Sequence, residues 1–168
     1  MLYYLNLIKS NKVFFKENKS KLLYFEGYYN KLIDNDSLFV KNSYQAYKTG
    51  VKSNDTLSIL NSLAALSQSY DYLNDYSYNF EYLKLYKENA EKYKDETHKI
   101  IQLFLLGNYH LYRDQTQLAS KNYHNILNKS LRKKDSIYIL STYHNLGALH
   151  EMSTKNSDSA IYYFNKKI

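Results

Sequence analysis

The 168-residue chain contains no proline, cysteine or tryptophan and carries a formal net charge of +7. Without cysteine it can hold neither a disulfide framework nor a zinc–thiolate site, and the lack of proline favours helices over a loop-rich β fold. Charged residues at 23% and hydrophobic residues at 44% are ordinary for a globular domain with a real core and exclude extended disorder.

Residues 1–15 (MLYYLNLIKSNKVFF) read as an extra helix or the remnant of an earlier repeat. They lack the basic start of a signal peptide, and Asn6, Lys9, Ser10, Asn11 and Lys12 interrupt the apolar run. No stretch of the chain approaches the ~20 apolar residues of a membrane span, so the expected location is the cytoplasm.

Residues 16–54 read as a degenerate helical hairpin, with Leu23 and Gly27 on its first helix and Val40, Tyr44 and Tyr47 as the expected core of its second. Residues 55–94 are clearer. Asp55 stands where an N-cap belongs, and Leu57, Leu60, Leu63, Leu66 and Tyr70 follow at helical spacing. After the turn at Leu73–Asp75, Tyr76, Phe80, Leu83, Tyr86 and Ala90 mark the face of a second helix. Residues 95–134 repeat the plan, with Asp95 as the cap and Asp114 with Gln117 as a capping box before the second helix. Residues 135–168 repeat it once more, with one extra residue in MSTKNSD and a second helix cut short after Phe164. Ile168 would then leave an apolar face uncovered, so the chain is expected to be a fragment that self-associates through this unfinished repeat.

Aligned by hairpin, these units share a forty-residue register. Gly27, Ser67, Gly107 and Gly147 form one column; Asp55, Asp95 and Asp135 another; Leu66, Leu106 and Leu146 a third. Glycine inside a helix costs about 1 kcal/mol against alanine. Its recurrence predicts a close helix–helix approach, with Asn79, Ala119 and Ala160 as the facing small residues.

The pattern resembles the tetratricopeptide repeat. Leu106, Gly107, Ala119 and Tyr123, then Leu146, Gly147, Ala160 and Phe164, carry the resemblance, and Leu66, Ser67, Tyr70 and Leu83 continue it. The departures are His110 and His150 at the tyrosine position, the missing proline, and a period of forty rather than 34. The resemblance implies an all-α fold, a right-handed α-solenoid of antiparallel helical hairpins. It also implies a binding scaffold for a protein or peptide, without a cofactor, of the kind found in the sensory or regulatory arms of larger bacterial signalling proteins. Carried over by column, the groove would display Asn61, Gln68, Asp71 and Tyr72, then Phe104, Asn108, Leu111 and Tyr112, then His144 and Glu151. Because these positions include no lysine or arginine, a co-chaperone role is disfavoured.

Two other functions are weighed against the scaffold. A basic edge at Lys52, Lys92 and Arg132 could meet nucleic acid. However, the chain has only Arg113 and Arg132 for the forked phosphate contacts that arginine makes best, and lysines at helix C-termini are favoured by the helix dipole alone. Catalysis or metal binding would draw on the five histidines, but these form no HExxH pair and no i,i+4 pair. His110 and His150 fit an aromatic packing position one repeat apart.

Overall fold

The structure, a computed structural model, describes residues 2–154 and 157–166, and expectations about Ile168 lie outside them. The fold is all-α, with no strand among the described residues. Two compact units divide the chain, residues 1–94 and 95–168, at a junction the sequence places between two hairpins.

The first unit opens with α1 (Leu2–Ser10) and α2 (Lys12–Glu17), where the Asn11 side chain accepts from the Phe14 N–H and starts the second helix. Then come α3 (Lys19–Leu32), α4 (Asp36–Ser53), α5 (Thr56–Tyr72) and α6 (Tyr76–Lys92). Each packs against the next, and α3 also packs against α5. The second unit holds α7 (Glu96–Leu111), α8 (Thr116–Lys133), α9 (Ser136–Leu149), a π-helical turn (His150–Thr154) and α10 (Ser157–Asn165). The extra residue of the last hairpin falls in the stretch that contains this wider turn.

One kind of joint closes most of these helices. Asp34, Asn54, Asn74, Lys94, Asp114 and Lys134, twenty residues apart, all have φ between 53° and 55°. Around Asn54 the bonds are those of a Schellman motif: Asn54 N–H to Val51 O at 3.3 Å and Asp55 N–H to Gly50 O at 2.9 Å. The next residue then caps the following helix. Asn35, Asp55, Asp75, Asp95 and Asp135 accept side-chain bonds from the backbone N–H of Leu38, Ser58, Tyr78, His98 and Tyr138. The expected box at Asp114 and Gln117 is corrected. Asp114 is spent on the left-handed turn, so the cap position falls to Gln115, whose side chain makes no capping bond.

Three of the second helices, α4, α6 and α8, bury the same four positions. In the first unit these are Phe39, Ser43, Ala46 and Gly50 on α4, and Asn79, Leu83, Tyr86 and Ala90 on α6. In the second unit they are Ala119, Tyr123, Ile126 and Ser130 on α8. Val40, Tyr44 and Tyr47 therefore sit one position off the buried stripe, and Tyr76 and Phe80 are exposed. Tyrosine is amphipathic and covers the flank of a helix without entering the core, so side-chain size misplaces the face.

The glycine column is buried, and at Gly107 and Gly147 the nearest atoms belong to a large aromatic side chain. A Cβ on Gly107 would lie 2.6 Å from Cε1 of Tyr123, and one on Gly147 would lie 2.5 Å from Cε1 of Phe164. An aromatic ring thus occupies the space beside each of these two glycines. Where position 83 is leucine, the matching column holds Ser67. At Gly27 the nearest atom is the small Ser43 Oγ, 3.2 Å away.

Candidate functional site

In the first unit the neighbouring helices α3 and α5 converge on Lys31, in the last turn of α3, where the helix dipole favours a cation. The Lys31 Nζ donates to Gln68 Oε1 at 3.1 Å and stands 5.0 Å from the centroid of Tyr72, 5.5 Å from Tyr28 and 5.8 Å from Phe39. Among the described residues no carboxylate lies within ion-pair distance of this ammonium. Tyr72 stays 52% exposed, so the cradle is open to solvent. Gln68 and Tyr72 are thus brought together, around a lysine that the sequence reading left out. Lys31 shares a forty-residue column with Asp71, Leu111 and Glu151, and that column had the means to reveal it. Asn61 lies half-buried on α5. Asp71 accepts from Asn79 Nδ2 at 2.8 Å, an internal tie that also satisfies a buried asparagine.

In the second unit the column positions divide. Tyr112 is 64% exposed, and His144 and Glu151 are also exposed, the His144 ring 5.8 Å from Phe164. Leu111, only 6% exposed, belongs to the core with Ile100, Ile126 and Leu146 and is not displayed. Phe104 is half-buried, edge-on to Tyr123. Asn108 is likewise used internally: its Oδ1 accepts from the Tyr123 hydroxyl and from Asn145 Nδ2, both at 2.8 Å, joining three helices at one atom. Burial pushes the Tyr123 phenol well above its ordinary range, so it remains a neutral donor.

No protein-family model matches the chain, and no curated protein matches it.

The residues expected to form a basic edge are exposed, Lys52 and Lys92 in the first unit and Arg132 in the second. Lys52, Lys92 and Arg132 lie in the last turns of α4, α6 and α8, and the Lys92 ammonium stands 5.2 Å from the Tyr93 ring. The histidines serve packing and local bonds. His110 Nδ1 is 2.5 Å from Gln115 Oε1, and His150 stacks on Tyr163 at 5.4 Å. His98 is buried, and burial pulls its pKa down against the opposing influence of Asp95. Among the described residues no three His, Asp or Glu side chains converge as a metal ion requires, and no helix is long and apolar enough to cross a membrane.

Proposed function

We propose that this chain is a protein- or peptide-binding scaffold of tetratricopeptide type, its antiparallel hairpins stacked as a right-handed solenoid, and that it serves as the regulatory arm of a larger bacterial protein. The cradle of Lys31, Gln68 and Tyr72 carries this reading. Its ammonium is partly withdrawn from water by aromatic rings and has no anionic partner, so an incoming carbonyl or carboxylate oxygen would supply the missing acceptor. The Gln68 amide offers a donor and an acceptor to a peptide backbone. Tyr72 is the kind of large, half-free anchor from which interface hot spots are built.

The test begins with capture of a partner from the source organism. Changing Lys31, Gln68 and Tyr72 to alanine should weaken that partner by about 1–3 kcal/mol in total while the fold is kept. If the triple variant binds as tightly as the parent, and affinity falls only when Lys52, Lys92 and Arg132 are neutralised, the cradle reading is wrong and the basic edge is the site.

A further inference from the structure

A second surface of the first unit has a different chemistry. Tyr70, near the end of α5, stacks with two rings of α6: Tyr78 at 5.1 Å with an interplanar angle of 27°, and Tyr82 at 5.4 Å and 12°. This three-ring stack is held by two helices, so its rings are fixed before any ligand arrives. Burial, with the neighbouring phenols, raises the Tyr82 pKa to about 12, so the ring stays neutral and keeps its electron-rich face. Tyr78 and Tyr82 form one wall of an open pocket of about 350 Å³ on α6, which Glu81, Lys84, Leu85 and Glu88 complete. Glu81 and Glu88 stand two turns apart on the same face of α6, about 10 Å along its axis, and both are exposed. Among the described residues neither has an ion-pair partner, although Lys84 lies between them in sequence.

We infer that this pocket takes an arginine side chain of the partner polypeptide. A guanidinium is flat, so it can lie on the tyrosine face, where the ring quadrupole attracts a cation. Its N–H edges stay free and can donate to a carboxylate on either side, which a lysine ammonium cannot do while stacked. Leu85 supplies apolar surface for the methylene stem. Lys84 is the resident competitor: it offers the same charge but is held by no bond, and an incoming guanidinium would displace it toward solvent. The inference rests on the scaffold reading only in supposing a polypeptide partner. It places this contact on α6, away from the cradle of α3 and α5.

The experiment uses the full chain and a probe of known composition, the peptide Gly-Arg-Gly-Arg-Gly, with its citrulline counterpart as the uncharged isostere. Titration is followed by NMR of the tyrosine rings at physiological ionic strength. The arginine peptide should shift the Tyr78 and Tyr82 resonances saturably, and the citrulline peptide should do so at least tenfold more weakly. Glu81→Gln with Glu88→Gln should weaken binding about fivefold to tenfold, and Lys84→Ala should tighten it a few-fold. Equal response to the two peptides, shifts spread over the basic surface, or tightening absent in the Lys84 variant would overturn the inference. If a captured partner is lost on cradle mutation but tolerates the double Glu→Gln variant, the scaffold reading stands and this pocket is not its second contact.

Discussion

Replacing Gly107 by alanine puts a methyl carbon 2.6 Å from Cε1 and 3.0 Å from Cδ1 of Tyr123. An ordinary carbon contact is about 3.5 Å or more, so the ring must retreat by roughly 1 Å. It has little room to do so. Tyr123 is fully buried, and its hydroxyl is anchored on Asn108 at 2.8 Å. Overpacking of this kind costs about 1–3 kcal/mol, while alanine returns about 1 kcal/mol of helix propensity. The net expectation is a loss of up to about 2 kcal/mol, or up to about 6 °C in melting temperature for a chain of this size, toward the upper end because the ring is fully buried and tethered.

The decisive comparison is the same change made in a Tyr123→Leu background. That single variant loses buried ring area and the bond to Asn108, at a cost of about 2–4 kcal/mol. Leucine also clears the space over position 107, as Leu83 does for Ser67. Gly107→Ala should then be stabilising, by up to about 1 kcal/mol of propensity. Urea unfolding followed by circular dichroism, with amide exchange in α7 and α8, gives all four corners of the cycle. If Gly107→Ala has the same sign in both backgrounds, the ring does not explain the glycine column.

Two further outcomes follow from the joints and from His98. Lys94→Gly and Lys134→Gly should each stabilise by about 1 kcal/mol, because lysine pays the left-handed penalty that glycine avoids, and denaturant midpoints will register it. Folded-state burial lowers the His98 pKa, so the unfolded chain takes up its proton first; stability should fall as pH drops below the ordinary histidine value of 6.5. A His98→Gln variant should show a flatter pH dependence between 7 and 5 in the same unfolding assay.

The parts of the fold that the sequence made legible are those set by local chemistry. Asp55 and Asp95 announce their caps because few side chains can accept from a helix N-terminus. The left-handed joints at Lys94, Asp114 and Lys134 were hidden, since none is the glycine such a turn usually advertises, and Asp114 imitated a cap. Tyr44, Tyr76 and Phe80 misled by size. Asn79 took the buried position instead because Asp71 satisfies its amide. At the candidate site, Gln68 and Tyr72 were readable from their column. Lys31 was missed because its hairpin keeps only Leu23 and Gly27 of the repeat pattern. The roles of Asn108 and Leu111 depend on contacts across helices, which no single-helix pattern contains.

The recurrence of the turn every twenty residues has a genetic consequence. The same joint leads out of first helices and second helices alike, so locally a twenty-residue deletion would reseal without a scar. It would also change the role of every helix beyond it. A second helix such as α6 buries four positions, and the first helices α3 and α9 also bury four, but α5 buries ten, from Ser58 to Ser69. A thinly buried helix would be forced into a slot that demands burial on several sides. At α5, therefore, removal of forty residues should be tolerated better than removal of twenty, although the hinge chemistry repeats in steps of twenty.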